Sequence, residues 1–279
     1  MEIKAADVMK LRDKTGVQMM KCKEALIAAG GDFEKALENI RVTIKGAENR
    51  PDRVTADGRV GVFIDAAGTS GGIVELRCES SPVAKNEMFV KLANDLAKQV
   101  AVKGQSPAAE LLAQPFVDDA STTMKERVGQ VVGLMRENVE VARCAKLQGL
   151  VGSYVHHDGS VGVLLAVEGA RADPQVLRDV CMHIAAKNPV AALREQVSKE
   201  KVAKEREIAL AQAQEQGKGK PANIVEKIAE GKLAAWFKDQ VLAEQPFVKD
   251  ESKTVGELLK AAGLTLKQFV RYRVGEAVS

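Results

Sequence analysis

The sequence predicts an α+β protein, on three observations: an all-helical module over the first 45 or so residues, a hairpin-then-helix order that occurs twice, and a polar helical pair late in the chain. In the first module Val8 and Leu11, then Met19, Met20, Leu26 and Ile27, recur near helical spacing with an interruption at Thr15-Gly16. Gly30-Gly31-Asp32 ends the second helix and caps a third, which runs through Ala36, Leu37, Ile40 and Val42. Three helices of this size sit near the lower limit for independent stability, so the module is expected to dock on something. The polar stretch over residues 45–53 lacks an apolar face and reads as a linker.

Beyond it, Arg59-Val60-Gly61-Val62-Phe63-Ile64-Asp65 and Gly72-Ile73-Val74-Glu75-Leu76-Arg77-Cys78 are strand-like runs joined by Gly68-Thr69-Ser70-Gly71, a β-hairpin pattern. One helix then carries Val83, Phe89, Leu92, Leu96 and Val100, and another, capped near Ser121 and Thr122, carries Met124, Val128, Val131, Val132 and Met135. The order recurs about 90 residues later: the runs 151–156 and 161–167 flank His157-Asp158-Gly159-Ser160, and a helix opens at Asp173-Pro174. Residues 198–216 form a charged helix and, after Gly217-Lys218-Gly219-Lys220-Pro221, a second helix carries Ile224, Val225 and Ile228; a first arm this polar cannot be buried on all sides and is expected to project as an insertion. The strand-like Phe269-Val270-Arg271-Tyr272-Arg273-Val274 is expected to return to the second half's sheet. The expected division is a three-helix module (1–50), an N-terminal core subdomain (55–140), a C-terminal core subdomain (141–190 and 232–279) with antiparallel sheets in both, and an inserted helical hairpin (191–231).

Composition narrows the function. The 41 Lys and Arg against 38 Asp and Glu leave a net charge of only +3, and aromatics make up 4%, so neither a polyanion-binding surface nor a base-stacking platform is indicated. No signal peptide or bilayer-spanning run is visible, and Cys22, Cys78, Cys144 and Cys181 are too scattered for a disulfide framework or a structural zinc site, which fits free thiols in a reducing cytosol. Gly68 to Gly72 joins two strands instead of a strand and a helix, so it is a hairpin turn and no nucleotide cradle. His156 and His157, read as neighbours on a strand, point to opposite faces and do not share a metal ion. His183 lies on an apolar helical face, the setting of a satisfied core histidine more than of a catalytic base. No metal, cofactor or catalytic set is expected.

The run Leu11-Arg12-Asp13-Lys14-Thr15-Gly16-Val17-Gln18-Met19-Met20-Lys21-Cys22-Lys23-Glu24-Ala25-Leu26 closely resembles the signature of the bacterial elongation factor Ts family. The resemblance continues in order through Gly31-Asp32, Val83-Ala84-Lys85-Asn86, Glu137-Asn138, Gly152-Ser153-Tyr154, Met182-His183-Ile184-Ala185-Ala186, Gln245-Pro246-Phe247 and Phe269-Val270-Arg271-Tyr272-Arg273-Val274-Gly275-Glu276. It implies a ubiquitin-associated-like (UBA-like) first module, two related α+β core subdomains and an inserted hairpin. It also implies guanine-nucleotide exchange on elongation factor Tu in translation elongation, without covalent chemistry, through disturbance of the partner's Mg²⁺ and phosphate site. By that resemblance, Leu11, Arg12, Thr15, Gly16, Met19, Met20 and Lys23 meet the partner's nucleotide domain, and Ser80, Ser81, Pro82 and Val83 form the Mg²⁺-displacing loop. Tyr154 and His156 lie toward another partner domain. Partner contact and core packing suit Met19 and Met20 equally, because Met adapts to both.

Two departures qualify the resemblance. Where the family usually has Thr-Asp-Phe-Val-Ala-Lys, this chain has Ser80-Ser81-Pro82-Val83-Ala84-Lys85, losing a carboxylate and an aromatic wedge whose full burial is worth roughly 1 to 3 kcal/mol. The alternative expectation is therefore a Tu-binding scaffold with weak exchange, although a proline stiffens the loop and lowers its ordering cost. The close at Gly275-Glu276-Ala277-Val278-Ser279 leaves little room for the C-terminal extension of some relatives. A homodimer within a two-to-two complex stays open, and so does an unrelated enzyme with a dispersed site.

Overall fold

The computed structural model describes residues 3–15, 17–45, 49–50, 52–218 and 221–277. It is a mixed α+β chain, as the sequence predicts. Three helices open it, α1 (Ala5–Thr15), α2 (Met19–Ala28) and α3 (Phe33–Lys45). The first half of the core follows as β1 (Asp57–Ile64), β2 (Ser70–Cys78), α4 (Ser81–Ala84), α5 (Glu87–Lys103), α6 (Ala108–Ala113), β3 (Pro115–Phe116), β4 (Asp119–Thr123), α7 (Met124–Met135) and β5 (Glu140–Gln148). The second half is β6 (Leu150–Val155), β7 (Val161–Glu168), α8 (Pro174–Lys187), α9 (Lys199–Gln216), α10 (Ala222–Gln240), β8 (Pro246–Phe247), β9 (Asp250–Thr254), α11 (Val255–Ala261) and β10 (Thr265–Arg273).

Two antiparallel three-stranded sheets, in the orders β1-β2-β5 and β10-β7-β6, stack face to face. Val60, Ile73 and Leu147 of one sheet and Val151, Leu164 and Ala166 of the other form the shared apolar layer. Helix α5 covers the outer face of the first sheet with Phe89, Leu92, Ala93, Leu96 and Val100, a spacing that puts them all on one stripe. Helix α8 covers the second with Leu177, Val180, Cys181 and Ile184. The result is helix, sheet, sheet, helix. Glycines let the helices approach: a Cβ on Gly72 of β2 would lie 2.1 Å from the Ala97 carbonyl oxygen of α5, and one on Gly152 of β6 would lie 2.5 Å from Leu177 Cβ of α8.

Several boundaries differ from the sequence reading. Residues 141–148 begin the expected C-terminal subdomain, yet they belong to β5, which pairs with β2 and completes the first sheet; Gly149, at φ +116°, turns the chain directly into the second. The single helix expected to carry Val83 through Val100 is broken, because Asn86 adopts extended backbone and caps α5 by accepting the Met88 N–H. The hairpin does not stop at residue 231, since α10 runs on to Gln240 and Gly231 has open space where a side chain would stand. Most of α9 is exposed, and its buried Ala209 and Ala213 face α10.

The internal repeat is deeper than hairpin plus helix. Gln114-Pro115-Phe116-Val117 and Gln245-Pro246-Phe247-Val248 both form two-residue strands pairing with β4 and β9 in the same register pattern. Thr123 and Thr254 then build matching capping boxes with Glu126 and Glu257. The carbonyls of Gln114 and Gln245 accept the N–H groups of Met124 and Val255, each at 3.0 Å.

The polar stretch after α3 is stitched down. Asn49 exchanges two hydrogen bonds with the Val139 backbone, and buried Asn138 does the same with the Arg50 backbone. Arg53 pairs with Glu79. Leu134 of α7 packs on the core of the first module, so the expected docking surface is α7.

Candidate partner interface

The loop after β2 is built from three sides. Glu137, just beyond α7, accepts the N–H groups of Glu79 (3.2 Å) and Ser80 (3.0 Å) and the Ser80 hydroxyl (2.5 Å). The Cys78 thiol donates to the Ser80 carbonyl, and burial pushes that thiol up to about 11, so it stays a neutral donor. Glu79 accepts the Asn138 N–H and pairs with Arg53, which together hold its carboxyl below the ordinary range. Ser80 is thus fixed in extended backbone as the residue before α4. Ser81 and Pro82, the first residues of α4, are both exposed, while Val83 turns toward the core under α5. The tip therefore presents a hydroxyl and a pyrrolidine ring, with neither carboxylate nor aromatic.

Arg59 connects this loop to the second half. Its guanidinium donates to the Ala84 carbonyl at the end of α4 and packs on the turn at Gly159, where a Cβ would come within 2.8 Å of it. The Val60 N–H donates to the Gly159 carbonyl at 2.8 Å. Burial holds the Arg59 guanidinium below its ordinary value, and Asp158 opposes that shift by charge. Tyr154 and His156 border the same turn, with the phenol oxygen 3.1 Å from His156 Nδ1. The reading of His156 and His157 as a strand pair facing opposite ways is corrected: β6 ends at Val155, both residues lie beyond it, and their rings lie 4.3 Å apart. Among the described residues no group of three or more His, Cys, Asp or Glu is placed to hold a metal ion.

In the first module the positions separate by burial. Leu11, expected among the partner contacts, is fully buried in the module's core, beside Val8, Cys22 and Leu26. Thr15 donates to the Leu11 carbonyl at 2.6 Å and accepts the Val17 N–H, closing the turn between α1 and α2. Gly16 lies outside the described residues. Arg12 and Lys23 are exposed, and so are Met19 (43%) and Met20 (64%), which rules out core packing for these two side chains. Met20, Lys23 and Ile27 share one face of α2, and Ile27, which sequence reasoning left in the core pattern, is also exposed.

The structure thus brings the loop at Ser80 and the turn beside Tyr154 and His156 together through Arg59. Sequence reasoning missed Arg59, whose partners lie far away in the chain, and assigned no role to Glu137. His183 is the satisfied core histidine expected: fully buried, with Nε2 2.9 Å from Gln245 Oε1 and Nδ1 accepting the Val248 N–H.

Comparison with known proteins bears on the same segments. A family model described as Elongation factor TS matches residues 79–276, from the loop to just past the C-terminal strand. The elongation factor Ts of Thioalkalivibrio sulfidiphilus is 40% identical over 282 residues, covering 100% of this chain and 94% of its own. That of an Azoarcus species is 42% identical over 280 residues, covering 99% and 92%, and that of Clostridium botulinum 37% identical over 289, covering 99% and 94%. No described helix is long and apolar enough to cross a membrane.

Proposed function

Because the chain belongs to the elongation factor Ts family, we propose that it binds elongation factor Tu, GDP-bound and nucleotide-free, and promotes release of GDP during translation elongation. A cytoplasmic location follows from that reading. An exchange factor needs no covalent step. It must bind the nucleotide-free partner more tightly than the GDP-bound one, since equal affinity shifts nothing.

The observation that supports this most is the fixed tip at Ser81 and Pro82, adjoining through Arg59 the turn beside His156. A preformed protrusion can enter a partner's Mg²⁺ and phosphate site without first being ordered, and so at lower entropic cost. The exposed face of α2, with Met19, Met20 and Lys23, would grip the nucleotide domain, and Tyr154 and His156 would meet a second domain. On this reading residues 1–50 bind, the two core halves perform exchange, and the hairpin is free to serve oligomerisation.

A second reading, a Tu-binding scaffold with weak exchange, is favoured by one feature, the tip without carboxylate or ring. Stopped-flow release of fluorescent GDP from elongation factor Tu at fixed Mg²⁺ separates the two. Saturable acceleration is expected, and co-purification without acceleration would favour the scaffold. The double variant Ser81→Asp, Pro82→Phe is expected to raise the saturating rate by about tenfold, on the scale of one charge-assisted contact. An unchanged rate would remove the tip as the limiting feature.

A further inference from the structure

We propose that Glu137 is the positioning residue of the loop at residues 80–83, setting the rate of GDP release without itself contacting the partner; this rests on the exchange reading above. Helix α7 is closed by Arg136, whose left-handed backbone (φ +58°) reverses the chain and brings Glu137 back against the start of the loop. There the carboxylate takes three donors, and all three belong to the start of the loop: two successive backbone N–H groups and the Ser80 hydroxyl. Ser80 is the residue before α4, yet its side chain makes no capping hydrogen bond to that helix; its hydroxyl points to Glu137 and donates to it. Hydrogen bonds to a charged acceptor are the stronger kind, and three converging on one carboxylate leave the Ser80 backbone a single orientation.

The consequence falls on Ser81 and Pro82, which follow directly from Ser80 at the surface. Their direction is set by Ser80, and Ser80 is set by Glu137. A tip that must displace a partner's ion contacts works only from the right position, so a loosened Ser80 lowers the rate once the complex has formed. Binding depends on wider surfaces that Glu137 does not touch.

Glu137→Ala and Glu137→Gln test this in the full chain. The amide introduced by Glu137→Gln retains both functions needed, its oxygen accepting the two N–H groups while its nitrogen donates to the Ser80 hydroxyl. Glu137→Ala is expected to lower the saturating GDP-release rate by about tenfold, on the scale of a lost charge-assisted contact, with the half-saturating concentration within about twofold. Glu137→Gln is expected to recover most of that rate, and hydrogen exchange of the Glu79 and Ser80 amides in the free protein is expected to quicken only in the alanine variant. Three outcomes overturn the proposal: an alanine variant as fast as the unaltered protein, a loss confined to affinity, or a glutamine variant as slow as alanine. If the unaltered protein itself fails to accelerate release, the exchange reading falls and this role with it. An active unaltered protein with an equally active alanine variant removes this role alone.

Discussion

Gln99 and His183 stand at matching places in the two halves and hold matching turns. Gln99 donates from Nε2 to Gln114 Oε1 and accepts the Val117 N–H. His183 meets Gln245 Oε1 through Nε2 and accepts the Val248 N–H through Nδ1. That pattern requires a neutral imidazole with its proton on Nε2. Burial holds the His183 pKa below its ordinary 6.5, opposed by the Gln245 bond and aided by the charge of Lys187. In the unfolded chain the imidazole takes a proton as pH falls through about 6.5, whereas the folded one resists, so the unfolded state binds more protons in that window. Stability is therefore full above about 6.5 and declines as pH falls from there toward the folded value. His183→Gln, copying the first half, is expected to fold and to flatten that decline, measured as thermal unfolding at about pH 5 and about pH 7.5. A slope as steep as in the unaltered protein would assign the acid sensitivity to other groups.

At the scale of elements, helices and sheets meet where glycine removes the obstacle. Gly72→Ala places a methyl against the Ala97 carbonyl of α5, a rigid neighbour, and is expected to cost about 1–3 kcal/mol in urea unfolding. In the first module the helices divide buried from exposed side chains, and on the proposed function this separates stability from contact. Leu11→Ala removes a fully buried side chain and should cost the module about 2–5 kcal/mol, whereas Met20→Ala should change stability by less than about 0.5 kcal/mol and weaken binding of elongation factor Tu. Equal affinity of the Met20 variant would remove that face from the interface. These elements were legible in the sequence to different degrees. The α5 and α8 stripes and both hairpins were plain, because the helical and alternating periods lie within the segment itself. Strand β5 was not, since its assignment to the first sheet depends on pairing with β2 about seventy residues away, and no local pattern distinguishes the two sheets. The two-residue strands β3 and β8 are too short to carry any period, although the repeated Gln-Pro-Phe-Val ahead of a Thr-x-x-Glu cap was there to be read. In the candidate site the tip was singled out through resemblance alone, but the groups that hold it, Glu137 and Arg59, act across long stretches of chain and leave no local signature.

Across the whole molecule, the two halves are fused and the first module is tethered. The sheets share one apolar layer, and the C-terminal strand is locked to the first half where fully buried Glu75 accepts the Gly275 N–H and pairs with Arg77 and Arg143. The tether runs through adjacent residues: Asn138 holds the segment leading from the module, and Glu137 holds the loop. Placing both anchors at the end of α7 fixes the module and the loop relative to one helix. On the proposed function, a partner that engages the module then meets the loop at high effective concentration, which raises affinity without any new contact. Asn138→Ala leaves the Arg50 N–H without its partner and removes the amide donor to the Arg50 and Arg53 carbonyls, while sparing the backbone bond from Asn138 to Glu79. Its expected effect is the mirror of the Glu137 change: the half-saturating concentration for elongation factor Tu rises by about tenfold, and the GDP-release rate at saturation holds. Titrating GDP release for both variants side by side measures the two quantities independently. A rate loss in Asn138→Ala as large as in Glu137→Ala would mean that the two residues form one support, and that the linker's attachment sets the loop as well as the module.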